Sequence, residues 1–272
     1  MHQIRIPVDL ELKAIPKAII YVSHLSAFPY PTTPYKRRCN ENQIKANDIE
    51  KCNYGDSKCM IEKLNDVFQN KHKGYQQLLL LPTLDPLHIN KMSLVQGAES
   101  SRVKIALHFN NIDMLGLSKA EVYKASGFNK ASDLDMIEIR FKTPKLMIVG
   151  PYKANGRIVL LPLIGAGYST LMLENVHFLM KFKAKIIEQN GKSHLQLNKS
   201  KMTFNTTRLY MNFTDLFNGN SELGKNMNKF INENWRDILD DLKRTIVQSF
   251  GDVFSTIINH IFNNFPYAEM FN

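Results

Sequence analysis

The sequence has few cysteines, a single tryptophan and no long uninterrupted run of apolar residues. A membrane-spanning helix requires about 20 consecutive apolar residues. Because every apolar run of this chain is much shorter, we expect no integral membrane association. Hydrophobic residues make up 44% of the 272 residues. This content excludes a disordered or collagen-like chain and is typical of one large globular domain or two small ones.

Catalytic motifs are also missing. The chain contains neither a Gly-x-Ser-x-Gly nucleophile turn nor a His-Glu-x-x-His pair. Asn190-Gly-Lys-Ser193 resembles the end of a phosphate-binding loop, but the first glycine of that loop would have to stand at Ile186. Gly165-Ala-Gly167 lies within a run predicted to be a strand, which argues against a dinucleotide-binding turn. We therefore predict no enzyme activity, no catalytic residue, no metal site and no cofactor.

The chain is basic, with 35 Lys and Arg against 25 Asp and Glu and a formal net charge of +10. Outside one short run, Lys36-Arg-Arg38, the positive charges are dispersed among apolar and acidic residues. No basic stripe with interleaved stacking aromatics is visible, so we expect no nucleic-acid partner. A basic surface that contacts a receptor or an anionic membrane stays open.

The three cysteines are unevenly spaced. Cys52 and Cys59 bracket a short loop, whereas Cys39 stands alone. No further Cys or His lies nearby to complete a metal site. A small disulfide loop requires an oxidising compartment. The cysteine count alone fits three reduced thiols in a cytosolic protein equally well. Glycosylation sequons at Asn198, Asn205 and Asn212 are compatible with secretion.

Residues 1–47 differ from the rest of the chain. They contain the Pro-rich stretch Phe28–Pro34 and a polar stretch without apolar periodicity. We predict a poorly ordered N-terminal extension over 1–47 and one folded domain over 48–272. The most apolar part of the extension, Ala18–Ala27, is interrupted by His24 and is not a plain signal peptide.

The periodicity of apolar residues changes along the domain. Spacing typical of an amphipathic helix extends from Lys58 to about Tyr75. From about Lys91 to Phe217 the apolar residues alternate with polar ones, as in Val103, Ile105, Leu107 and Phe109, and turn signals separate the runs. This pattern predicts an antiparallel meander of long strands with one face in water.

The last part of the chain predicts the element that covers the apolar face of this sheet. From Leu223 to about Phe265 the pattern indicates one helix, about 60 Å long at 1.5 Å per residue, which Pro266 ends. Its apolar stripe is too wide for a simple two-helix seam. The predicted fold is α+β, with a strongly curved antiparallel sheet wrapped around a long C-terminal helix.

Such a wrap either is filled or leaves an elongated apolar tunnel, and periodicity does not distinguish the two. If a tunnel exists, its wall consists of large inward residues of the first helix, the strands and the long helix. Each of these residues equally fits an ordinary core. The candidate lining residues are Leu64, Val67, Phe68, Phe109, Phe141, Phe178, Met180, Phe182, Phe230, Trp235, Leu242 and Phe250.

Several blocks in fixed order resemble the takeout and juvenile hormone binding protein family of insects. The most specific block extends from Leu216 to Trp235. The blocks are the Cys52–Cys59 loop, Leu84-Asp-Pro-Leu87, Pro144–Gly150 with Tyr152 and Gly156, Leu160-Leu-Pro162, Gly165-x-Gly167, Leu216-Phe-Asn-Gly219, Leu223-Gly224, Asn228, Asn232-Glu-Asn-Trp235 and Phe265-Pro266.

The resemblance implies the fold of the tubular lipid-binding superfamily, with a hydrophobic cavity, secretion and a disulfide that maps onto Cys52 and Cys59. It implies a carrier of a juvenile hormone-like terpenoid, a fatty acid or another lipid. The hormone-binding members have a second disulfide, but this chain has no cysteine after Cys59. It is therefore more similar to the takeout branch, whose roles include feeding, circadian output, chemosensation and courtship. The alternative to a carrier is an interaction protein with a filled core.

Overall fold

The computed structural model of the chain describes residues 51–73, 82–97, 102–130 and 136–272. The predicted extension over 1–47, including Cys39, lies outside these residues. The described elements, in chain order, are α1 (Ser57–Gln69), β1 (Leu87–Gln96), β2 (Val103–Leu115), β3 (Glu121–Ser126), β4 (Ile137–Ile158), β5 (Leu161–Pro162), β6 (Gly165–Gln189), β7 (Lys192–Asn205), β8 (Arg208–Phe213), α2 (Ser221–Glu233) and α3 (Trp235–Asn264).

Helix α1 begins at the small cysteine loop, as its apolar spacing predicts. The Asp56 carboxylate caps it by accepting a hydrogen bond from the Cys59 N–H at 3.0 Å. A disulfide joins Cys52 to Cys59 and so ties the start of the helix to Cys52, which forms an isolated β-bridge with Phe271. The predicted end near Tyr75 is wrong, because the helix ends at Gln69. Beyond it, the Leu84 N–H donates to the His72 carbonyl at 2.7 Å and redirects the chain.

The strands form one antiparallel sheet with the order β1-β2-β4-β6-β7. Its centre consists of β4 and β6, which pair from Ile137 opposite Phe182 to Ala154 opposite Gly165. The alternation that predicted these strands is confirmed on β2, where Val103 and Phe109 are among the buried inward residues. Register shifts within the β2–β4, β3–β4 and β6–β7 pairs increase the local twist and curl the sheet.

The pairing departs from the predicted simple meander at the last two strands. Both β7 and β8 pair with β6, β7 along residues 177–189 and β8 along residues 169–174. Strand β6 has 25 residues, which gives room for two successive neighbours on the same edge. The length of β6, rather than a turn signal in the sequence, therefore allows both β7 and β8 to pair with it.

The long C-terminal helix is confirmed, but the single helix predicted from Leu223 to Phe265 is wrong. The segment is divided at Asn234, whose backbone leaves the helical region at φ −105° and ψ 22°. The Asn234 side-chain Nδ2 donates to the Phe230 carbonyl at 2.8 Å and closes α2. The break lets α2 pack on β8, while α3, with 30 residues, packs on β7 and β1.

The interior contains two apolar clusters. The larger one fills the space between the curled sheet and α3. The smaller one lies at the disulfide end and includes Cys52, Phe182, Phe262, Tyr267 and Phe271. Here the Asn272 N–H donates to the Cys52 carbonyl at 3.0 Å, so the C-terminal segment closes this end of the sheet.

An acidic side chain joins three strands on the outer face of the sheet. The Glu138 carboxylate contacts the Nζ of Lys124 at 2.8 Å, the Nε of Arg140 at 2.7 Å and the Nζ of Lys181 at 3.0 Å. Hydrogen bonds from Lys124 above all, and also from Lys181 and Arg140, lower the pKa of the Glu138 carboxyl from 4.5 to about 2. Glu138 is thus ionised over the whole physiological range.

We expect Glu138→Gln to lower the free energy of unfolding by about 1–2 kcal/mol at neutral pH, because three cations lose their shared acceptor. The folded pKa lies below the ordinary value of 4.5. The contribution is therefore complete above about pH 4.5 and is lost as the pH falls toward 2. Urea unfolding at several pH values measures this difference. Glu121→Gln is the control, since Glu121 makes a single exposed ion pair with Lys142. A constant difference down to about pH 3 would contradict the assignment.

Candidate ligand cavity

An apolar cavity lies between the sheet and the first half of α3. Its volume is about 50 Å³. Strands β1, β2, β4, β6 and β8 form one wall, and α3 forms the other. The lining residues are Met92, Leu94, Leu107, Ile148, Leu171, Leu173, Leu209, Met211, Phe213, Ile238, Leu239, Leu242, Ile246 and Phe250.

Regular periodicity places these side chains on one surface. On α3, the lining residues follow one another at spacings of three and four from Leu239 to Phe250, which puts them on a single helix face. On β8, Leu209, Met211 and Phe213 alternate with exposed residues and share the inner face of the strand. The cavity therefore lies where a helical stripe meets the inner faces of the strands.

The wall of the cavity is entirely apolar. Every side chain that lines it is aliphatic, thioether or phenyl. Ser249, which directly precedes the lining residue Phe250, is already bonded: its Oγ donates to the Ser93 carbonyl at 3.3 Å. Within the described residues, no buried side-chain nitrogen or oxygen lacks a hydrogen-bond partner. The cavity thus offers burial and dispersion contacts to a ligand, and no polar recognition.

A lipid needs more room than this cavity has. An apolar cavity of about 150 Å³ is the size that accepts a benzene molecule, and this one measures about 50 Å³. Binding a larger molecule therefore requires side chains to move. Met92 and Met211 are suited to this, because an unbranched thioether side chain changes rotamer at little cost.

A cluster of phenylalanines fills the interior beyond the cavity. Phe141 stacks on Phe178 with ring centroids 4.7 Å apart, and Phe250 lies 5.5 Å from Phe204 and 6.2 Å from Phe178. Phe250 also lines the cavity. The interior is therefore open on one side of Phe250 and packed on the other.

The twelve candidate lining residues fall into different parts of the core. Leu242 and Phe250 line the cavity. Phe109, Phe141, Phe178 and Met180 are buried in the larger cluster outside the cavity, and Phe182 belongs to the smaller cluster. Leu64, Val67, Phe68 and Phe230 are half-buried against the larger cluster. Trp235 is buried but faces a separate surface cleft.

Most residues of the aliphatic wall are not among the twelve candidates predicted from the sequence. Examples are Leu171, Leu173, Leu209 and Met211. Their alternation on β6 and β8 was visible in the sequence, but it marks inward residues along the whole sheet. Large aromatic residues were favoured as candidates, and in the structure they mostly fill space. The cavity forms instead where smaller side chains leave space unfilled.

The surface cleft beside Trp235 has a volume of about 180 Å³ and lies between α3 and the end of β7. Two guanidinium groups contact the Trp235 ring, that of Arg208 at 5.4 Å and that of Arg236 at 5.0 Å from the ring centroid. Asn205, one of the three sequon residues, borders this cleft. Asn198 and Asn212 are likewise exposed on β7 and β8.

Two further findings concern the described residues. They contain no group of three or more His, Cys, Asp or Glu side chains that could hold a metal ion. No described helix is both long and apolar enough to cross a membrane.

A curled antiparallel sheet, closed by a long C-terminal helix over an apolar cavity, defines a class of proteins that bind small hydrophobic ligands. The chain belongs to the haemolymph juvenile hormone binding protein (JHBP) family, whose model matches residues 36–272. The resemblance inferred from the sequence blocks is thereby confirmed. The family is one of hydrophobic-ligand carriers and is not known for catalysis.

Relatives and a solved structure agree with this assignment. The chain is 23% identical over 226 residues to the circadian clock-controlled protein daywake of Drosophila melanogaster. The alignment covers 82% of this chain and 86% of that protein. Its counterpart in Drosophila yakuba is 22% identical over 237 residues, covering 86% and 91%. The crystal structure of Epiphyas postvittana Takeout 1 matches with a TM-score of 0.68 at 26% identity, over 82% of this chain and all of that one.

Proposed function

We propose that this protein is a secreted carrier that holds a small hydrophobic molecule, a terpenoid, fatty acid or similar lipid, between its sheet and α3. The observation that carries the proposal is the cavity with a wholly apolar wall. Membership of a family of haemolymph binding proteins, the Cys52–Cys59 disulfide and the exposed sequon residues support secretion. We include glycosylation at Asn198, Asn205 and Asn212 in this proposal.

The apolar wall supplies enough free energy for retention. A lipid that buries about 400 Å² of apolar surface gains about 10 kcal/mol at 25 cal/mol per Å². Association costs of 4 kcal/mol or more reduce this gain, and so does the displacement of side chains that a cavity of about 50 Å³ requires. About 6 kcal/mol or less therefore remains, which corresponds to a dissociation constant of roughly tens of micromolar or weaker without any hydrogen bond to the ligand.

Filling the cavity should abolish binding. We expect Leu242→Trp to weaken the uptake of radiolabelled lipids by at least about tenfold, because the indole ring fits only by occupying the cavity. Leu242→Met is the matched control, since it conserves side-chain volume and should change binding less than about threefold. Co-elution of a panel of terpenoids and fatty acids in gel filtration measures uptake, and thermal unfolding confirms that each variant is folded.

Lipid uptake by the wild-type protein distinguishes the carrier from a second candidate function, that of an interaction protein that acts through a basic surface. One observation favours this second candidate: on the outer face, Lys183 lies opposite Lys199. The neighbouring Lys181 faces Lys201 in the same way, but Lys181 already contacts the Glu138 carboxylate. Like charges facing each other across strands are unfavourable unless an anionic partner is present. If the wild-type protein takes up no member of the panel, the core is filled and the carrier function is contradicted.

A further inference from the structure

One side chain is shared by the apolar cavity and the surface cleft beside Trp235. Leu239 lines the apolar cavity and also lines the open cleft beside Trp235. The cleft lies where α3 passes the end of β7, at Phe204 and Asn205. Because Leu239 belongs to both walls, the cleft adjoins the cavity at this residue and is positioned as its mouth.

The charges at this mouth are mainly positive. Arg236 and Lys243 line the cleft, together with one acid, Asp240. Arg236 and Lys243 lie seven residues apart on α3, about 10 Å along the helix axis, and so flank the cleft. Lys243 Nζ donates to Asn205 Oδ1 at 3.1 Å, and the Arg236 guanidinium lies over the Trp235 ring. Neither cation forms an ion pair with a residue that the structure describes.

The cavity itself cannot accept a charged group. An ionised carboxylate buried without a partner pays a desolvation cost that far exceeds the gain from a few apolar contacts, and the cavity wall has no polar side chain. An amphipathic ligand must therefore keep its charged end outside the cavity. The cleft beside Trp235 adjoins this apolar cavity at Leu239, and it is lined by the cations Arg236 and Lys243.

We propose that the ligand is an amphipathic lipid with an anionic head, of the long-chain carboxylate class. Its alkyl tail passes Leu239 into the cavity, and its carboxylate stays in the cleft beside Arg236 and Lys243. The proposal rests on the proposed carrier function and adds a ligand class, an orientation and an entrance. An uncharged terpenoid or ester uses the same cavity and gains nothing from the two cations.

The orientation has a direct spectroscopic test, because Trp235 is the only tryptophan of the chain and lies in the cleft. Bromine quenches indole fluorescence only at close range. A fatty acid brominated next to its carboxyl group should quench Trp235 strongly, and the same acid brominated at the end of its tail should quench it much less. Equal quenching by both acids, or the reverse order, would overturn the proposed orientation.

The charge requirement is tested by comparing oleic acid with methyl oleate, which has the same chain without the ionised head. In the double variant Arg236→Gln/Lys243→Gln, binding of oleic acid should weaken by about tenfold while binding of the ester changes less than about twofold. Arg244→Gln is the control, an exposed cation on the same helix outside the cleft. It should leave both affinities unchanged.

The outcomes separate this proposal from the carrier function. Two results would overturn the carboxylate site but leave the carrier function. In the first, the double variant weakens binding of the ester and of the acid equally. In the second, the double variant leaves the affinity for the acid unchanged. Failure of the wild-type protein to take up either lipid would contradict the carrier function itself. Selective loss of the acid, with quenching strongest near the carboxyl group, supports both.

Discussion

Replacing Gly116 with alanine should lower the free energy of unfolding by about 3–5 kcal/mol, or prevent folding. Gly116 directly follows β2 and has a φ of +105°, in the region that side-chain-bearing residues rarely adopt. A Cβ atom added there would overlap the Lys145 carbonyl oxygen on the neighbouring strand. The Gly116 N–H also donates to the Asp85 carboxylate at 3.1 Å. The backbone has no room to retreat without breaking this contact.

Two other glycines separate the causes of this effect. Gly191, in the β6–β7 turn, has a φ of +72° but nothing within 4 Å of an added Cβ, so Gly191→Ala should cost only about 1 kcal/mol. Gly97 has open space and no positive φ, and Gly97→Ala should be neutral. Chemical denaturation of the three variants measures these differences. A loss at Gly116 no larger than that at Gly191 would show that the clash with Lys145 is relieved.

Asn232→Asp should lower the free energy of unfolding by about 2–4 kcal/mol. In the native protein, Asn232 Nδ2 donates to the Met211 carbonyl at 2.6 Å and to the Asn228 carbonyl at 2.7 Å, while its Oδ1 accepts from the Met211 N–H at 2.9 Å. Asn228 makes the same two-way contact with Phe213 at 2.9 Å. The two amides thus replace a missing neighbour strand along β8. A carboxylate in place of the Asn232 amide loses both donors and repels two carbonyl oxygens.

Asn220→Asp provides the control for this prediction. Asn220 caps α2, and only its side-chain oxygen is used, accepting from the Leu223 N–H at 3.0 Å. A carboxylate performs this role equally well and is favoured by the helix dipole. The same chemical change should therefore be neutral or slightly stabilising at Asn220 and strongly destabilising at Asn232. Equal effects in urea unfolding would contradict the assigned role of the Asn232 donors.

The small size of the cavity has a functional consequence. A lipid can enter a cavity of about 50 Å³ only if side chains of the wall move, and the proposed carrier function therefore requires an opening step. The wall is entirely apolar and offers water no hydrogen-bond partner, which favours a dry cavity. Of the two alternatives that periodicity left open, a filled wrap and an elongated tunnel, each describes one part of the interior: the cavity ends at Phe250, where the aromatic cluster begins.

Much of the fold could be predicted from the residues because periodicity is local. Alternation on β2, β4 and β6 predicted their buried faces, and the spacing after Trp235 predicted a long apolar helix. The break at Asn234 could not be predicted, since no proline or glycine marks it. Around the break, Asn228 and Asn232 bind β8 at Phe213 and Met211, and the Arg208 guanidinium lies over the Trp235 ring. These contacts join residues distant in sequence, which periodicity does not detect.

By itself, the sequence determined the α+β class, the inward faces of β2, β4 and β6, the long C-terminal helix and the family. All of these depend on the order of residues along single elements. Only the tertiary structure decided where space remains between the sheet and α3. A cavity depends on how side chains from five strands and one helix fill a shared volume, and its wall is made of the aliphatic residues that fail to fill it. The same assembly brought Leu239, Arg236 and Lys243 to one opening, because the sheet edge and the helix meet there.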